Sequence, residues 1–239
     1  MQQVIHKAET RGEANHGWLH SFHSFSFANY HNPDRMSFGA LRVLNDDQVY
    51  PGKGFGSHPH DNMEIISIPL EGDLEHKDSM GNEAVIREGD VQVMSAGTGV
   101  FHSELNKNHD KDVKFLQIWI VPNKKDVAPR YDQISLKDIA VNNKFFQFLS
   151  PSEKDQGVWI HQDAWFSLGN FEEGLSDSYT LKNRENGVYI FILEGETTIN
   201  GEKFTRRDGI GLWNLDKFEI TAVSKASVLL MEVPLFLKN

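Results

Sequence analysis

The chain has no cysteine. Disulfides and thiolate metal sites are therefore excluded, and a cytoplasmic address is the simplest reading. No apolar run approaches the ~18–20 residues that a membrane span needs. The start, Met1-Gln2-Gln3-Val4-Ile5-His6, lacks the charged-then-apolar order of a secretion signal. Positive charge is also short: 24 Lys and Arg stand against 34 Asp and Glu, a net charge of −10. With no basic cluster to offset it, that balance repels phosphate backbones and argues against direct nucleic-acid binding. A sustained helical period is missing as well.

What the chain does have is aromatic and β-forming. Its 239 residues are 39% hydrophobic, with 16 Phe and 5 Trp, enough for one large β domain or two of ordinary size. Apolar and β-branched runs at residues 41–44, 63–70, 74–78, 84–86, 91–94 and 113–121 are separated by glycine turns such as Glu71-Gly72-Asp73 and Glu88-Gly89-Asp90. Strands at this spacing indicate a β-sandwich or small barrel. Phe25 and Phe27 flank Ser26 with period 2, which predicts a further strand over 24–28, while Asn45-Asp46-Asp47 reads as an acidic turn. Residues 122–138 change character and read as a connection between domains.

Beyond that connection the chain repeats itself. Ile68-Pro69-Leu70-Glu71-Gly72 is echoed by Phe191-Ile192-Leu193-Glu194-Gly195, and the Gly81-Asn82 turn by Asn200-Gly201. Two copies of one β unit follow, with a division expected at 1–130 and 131–239.

Histidines mark one copy. His58-Pro59-His60 follows the glycine-rich run Gly52-Lys53-Gly54-Phe55-Gly56, and His102-Ser103-Glu104 follows Gly97-Thr98-Gly99. On a strand, residues two apart point to the same face, and neighbouring strands lie about 4.8 Å apart. His58, His60, His102 and Glu104 can thus surround one divalent metal, with Pro59 confining its strand to an edge. The second copy has nothing comparable. Shifted by the repeat interval, the four positions become Leu181, Asn183, Ala222 and Ser224, and His161 stands alone. A metal-free second domain is expected.

Gly52 through Glu64 resembles the first cupin motif, and Gly89, Gly97 and His102 resemble the second. The sequence is similar to the pirin family, in its bacterial quercetin 2,3-dioxygenase branch. Asn15-His16-Gly17-Trp18-Leu19, Phe25-Ser26-Phe27-Ala28-Asn29-Tyr30, His58-Pro59-His60, Glu75-His76-Lys77-Asp78-Ser79 and Met94 through Glu104 carry the match. The resemblance implies an all-β bicupin, two tandem jelly-roll barrels with the metal in the first. His58, His60, His102 and Glu104 would be its ligands, and Glu64 an outer neighbour of the site. It implies Fe(II), with Ni, Co, Mn, Cu or Zn as alternatives.

The implied reaction is cleavage of a flavonol such as quercetin by dioxygen, opening the heterocycle with release of carbon monoxide. Glu104 is the candidate base for the flavonol 3-hydroxyl, and Phe55 and Met94 are candidate walls. A monomer is expected, without membrane or nucleic-acid partners. A pirin-like iron-binding redox sensor regulating a protein partner is the alternative, and a metal-dependent isomerase or hydrolase a third. His76 reads as a strand-end polar residue and His109 as a weaker candidate for the site, and His16, His20, His23 and His31 could offer an outer shell that no spacing requires.

Overall fold

The computed structural model describes residues 1–236, and they are almost entirely strand and turn. The first half contributes β1 (Gln2–His6), β2 (Gly12–Asn15), β3 (Leu19–His23), β4 (Leu41–Val49), β5 (Gly54–His60) and β6 (Glu64–Glu71). Next come β7 (Leu74–Asp78), β8 (Glu83–Ile86), β9 (Asp90–Ser95), β10 (Val100–Asn106), β11 (Val113–Ile120) and β12 (Arg130–Ser135). A seven-stranded sheet in the order β12-β9-β6-β11-β4-β3-β2 and a four-stranded sheet β5-β10-β7-β8 face each other as one cupin barrel. The second half repeats the plan, again as sheets of seven and four strands. No helix among the described residues is long and apolar enough to cross a membrane.

The two barrels exchange strands. β1 leaves the first half and pairs with Gly209–Trp213 at the edge of the second large sheet. β12 lies in the segment that composition marked as a connection, yet it pairs with β9 at the matching edge of the first large sheet.

Side-chain alternation assigns the two faces of each large sheet. Ile66, Ile68, Leu116, Ile118 and Ile120 turn outward and share a core with Phe146, Phe148, Tyr189, Phe191 and Leu229 of the second half. The barrels are thus joined back to back by an apolar layer. Inside the second barrel lie Tyr179, Leu181, Ile190, Phe204, Phe218 and Ile220, all buried. Inside the first, the same face carries Ser67, Gln117, Asn45 and Ser21 beside Trp119. One barrel is filled, and the other keeps an open cavity with polar side chains on one wall and aromatic ones elsewhere.

Two local expectations fail. Residues 24–28 are not a strand: the strand is β3, and the chain then closes a tight turn through the Phe27–Tyr30 bridge. Ala28 takes a φ of 49°, and the Ser26 hydroxyl donates to the Asn32 carbonyl oxygen instead of leaving a regular ladder. Phe25 enters the shared core. Nor is Asn45-Asp46-Asp47 a turn. It lies in the middle of the nine-residue β4, fully laddered to β11 and β3. Asp46 faces away and holds Arg11 and Arg207 at 3.2 and 2.7 Å, while Asn45 and Asp47 face inward.

Candidate metal centre

β5 is the edge strand of the small sheet, where Pro59 forfeits no ladder bond, and β10 is its only ladder neighbour. The antiparallel register sets His102 opposite His58 and Val100 opposite His60. The spacing of two within each strand and the pairing between strands therefore converge three imidazoles. One ring nitrogen from each of His58, His60 and His102 falls within 4.8 Å of the others.

The backbones of β5 and β10 pass close together just beside the site. A Cβ on Gly54 would lie 2.2 Å from the Glu104 carbonyl oxygen and 2.6 Å from Leu105 Cα. Only glycine fits that crossing.

The three rings are prepared to bind. His58 Nδ1 sits 2.8 Å from the Gly56 carbonyl oxygen, a contact that places the proton there and leaves Nε2 as a free lone pair. His102 is 2% exposed, and neither ring nitrogen has a hydrogen-bond partner among the described residues. Burial, and then the neighbouring rings, lower His102 to about 3 and His60 to about 4. Both are neutral near pH 7, the form that coordinates. An all-nitrogen set without thiolate suits first-row divalent ions, so the residues present fit such a metal.

Glu104 lines the same cavity and is almost fully buried. Its two oxygens are held separately, Oε1 by the Ser67 hydroxyl at 2.7 Å and Oε2 by Gln117 Nε2 at 2.5 Å. A register shift between His102 and Glu104 sets it opposite Phe55.

Around this group the cavity measures about 580 Å³. Trp18 packs edge-on against Phe55 at 5.5 Å, and Phe27 against Trp119 at 5.4 Å, giving it aromatic walls. Phe55 is a wall, as its position suggested. Met94 is not: it is buried with Ile65, Ala96 and Val100. Glu64 also departs from expectation. The turn after His60, with Asn62 at a φ of 45°, resets the parity, so Glu64 opens β6 on the outward face with Ile66. There it accepts from the Ser95 hydroxyl at 2.6 Å, and burial raises its carboxyl to about 7.

Several contributors had no signal in the histidine spacing. His76 is no strand-end residue but fully buried, bonded to Asp78 at 2.9 Å, with its ring 5.4 Å from that of His102. His16, His23, Asn45, Asp47, Gln117 and Trp119 all line the cavity. Alternation within β3 and β4 is the pattern that could have found three of them, His23, Asn45 and Asp47. His20 instead faces Glu13 at the surface.

Two tandem cupin barrels, one of them built around three convergent imidazoles, define a bicupin with a divalent-metal centre. Comparison with known proteins agrees. The family model described as pirin matches residues 4–120, and one described as quercetinase C-terminal cupin domain matches residues 147–233. The chain belongs to the pirin family. A quercetin 2,3-dioxygenase of Escherichia coli (strain K12) is 43% identical over 234 residues, covering 96% of this chain and 98% of its own. A pirin-like protein of Caulobacter vibrioides is 36% identical over 222 residues, covering 92% and 95%. Among solved structures, bacterial pirin YhhW from Escherichia coli in complex with nickel(II) superposes with a TM-score of 0.92. It is 41% identical and covers 98% of this chain and 99% of that one.

Proposed function

We propose that the protein is a metal-dependent dioxygenase that opens the heterocycle of a flavonol, with Fe(II) as the resident ion. The observation that carries this reading is the convergence of three imidazoles, His58, His60 and His102, with His58, His60 and Glu104 on the wall of one aromatic-lined cavity. The relatives described as quercetin 2,3-dioxygenases support it. His58, His60 and His102 would hold the metal, with Glu104 as the fourth ligand. The ion, when bound, supplies Lewis acidity and a place for dioxygen beside the substrate.

The chain supplies the remainder. Trp18, Phe27, Phe55 and Trp119 offer flat apolar surface to a planar ring system. Glu104 accepts the proton of the flavonol 3-hydroxyl at a carboxylate oxygen, while Ser67 and Gln117 hold the carboxyl plane in place. Burial of the site excludes bulk water from that transfer.

A second reading is an iron-bearing sensor that regulates a protein partner. It is favoured by Phe101, which is 56% exposed on the outer side of β10, next to His102. Oxygen uptake with quercetin separates the two. Protein loaded in turn with Fe(II), Ni(II), Co(II), Mn(II), Cu(II) and Zn(II) should consume oxygen with at least one ion, and His58→Ala and His102→Ala should lose both metal and uptake. Full metal occupancy without uptake for any ion overturns the enzyme.

A further inference from the structure

The cavity has a second polar region, on its floor, away from the imidazoles. Across the large sheet of the first barrel, Ser67 stands opposite Gln117, Gln117 opposite Asn45, and Asn45 opposite His23. Three inter-strand steps separate the ends of this row, about 14 Å. At one end, Ser67 and Gln117 are spent on Glu104. At the other end nothing plays Glu104's part.

Instead, among the described residues His23 Nδ1, Asn45 Oδ1 and Asp47 Oδ1 are buried without a hydrogen-bond partner, and so is Trp119 Nε1, with Ser21 standing opposite Asp47 on β3. His23, Asn45 and Asp47 are 3%, 2% and 4% exposed, and all four residues line the cavity. Asn45 and Asp47 are two apart on β4 and share one face. Buried polar atoms are ordinarily paired. The equivalent interior of the second barrel solves the problem with aliphatic and aromatic side chains. Here His23, Asn45 and Asp47 leave two acceptor oxygens and a ring nitrogen unpaired on the β3–β4 wall of an open space, while Trp119 packs against His60 with ring centroids 4.9 Å apart.

We propose that Asn45, Asp47 and His23 form a recognition subsite for the hydroxyl-bearing end of an aromatic ligand whose other end lies at the imidazoles. Asn45 Oδ1 and Asp47 Oδ1 accept hydrogens from ring hydroxyls, and His23 accepts or donates according to its tautomer. The subsite deepens the flavonol reading and rests on it. It selects flavonols by the hydroxyls of the pendant ring and has no share in the oxygen chemistry.

The test is binding to the nickel-loaded protein, followed by quenching of tryptophan fluorescence, for two flavonols. Quercetin carries hydroxyls on its pendant ring; galangin has the same fused core and a bare pendant ring. Asn45→Leu and Asp47→Leu should each weaken quercetin about 5- to 10-fold, the loss of one buried hydrogen bond, and leave galangin within about twofold. Asp47→Asn keeps an acceptor and the shape and should retain most of the quercetin affinity, which also guards against a simple folding defect. Equal loss for both flavonols, or no loss for quercetin, overturns the subsite while leaving the flavonol reading intact. Selective loss without oxygen uptake removes the dioxygenase and keeps the subsite. Failure of both flavonols to bind the unmodified protein removes both proposals.

Discussion

Gln117 donates to Glu104 across 2.5 Å, from the strand at the centre of the large sheet to the strand that carries His102. A carboxylate placed beside a metal is only as useful as the group that holds its plane. Gln117→Leu keeps the volume and removes the donor, so nickel affinity should fall about 10- to 100-fold in a chelator competition. Unchanged affinity would show that Glu104 is not part of the binding set.

Metal should stabilise the fold. An ion bound only by the native state adds about 2.7 kcal/mol at a hundredfold excess over Kd. For a chain of this size that raises Tm by roughly 5–10 °C. Adding nickel to metal-free protein should give this shift in a thermal scan. His60→Ala should abolish it, because His60 is one of only three convergent imidazoles.

Burial lowers His60 to about 4 and His102 to about 3, both well under the ordinary 6.5. Neither ring has a proton to give up on binding above about pH 5. Log affinity for nickel should therefore rise by no more than about one unit per pH unit between pH 5.5 and 8. A slope near two in calorimetric titrations would show that these rings are protonated in the metal-free protein.

Glu64 is shifted the other way, from 4.5 up to about 7, chiefly by burial. Between those values the folded protein holds a proton that the unfolded chain has lost, so stability falls as pH rises through that window. Glu64→Gln keeps the partner of Ser95 and removes the titration. Its advantage over the unmodified protein should grow from pH 5 to pH 8, reaching on the order of 2 kcal/mol in urea unfolding. An advantage independent of pH would contradict the shift.

Gly54→Ala would thrust a methyl group into the backbone of β10. Separation of β5 from β10 parts His58 and His60 from His102, so metal content should drop to a small fraction of one ion per chain. Full occupancy by elemental analysis would mean that the crossing can relax.

The convergence of His58, His60 and His102 was legible because residues two apart keep one face in β5 and the antiparallel register sets His102 opposite His58. The cupin plan was legible from glycine turns at regular spacing. The pocket floor was not. Asn45-Asp46-Asp47 has turn-like composition, and only its ladder to β3 and β11 shows that alternate members face opposite environments. Glu64 misled for a related reason: parity counted through a turn does not survive a residue with positive φ. His76 was read as a strand-end residue because its place opposite Glu104 depends on a strand distant in sequence.

β1 and β12 each close the sheet of the other half's barrel. A fragment ending near residue 130 would lose its last strand and keep an orphaned first one, with raw sheet edges open to self-association. Neither barrel can therefore be borrowed as a freestanding module, and the chamber that holds the three histidines is closed only once the chain has run on through residue 135.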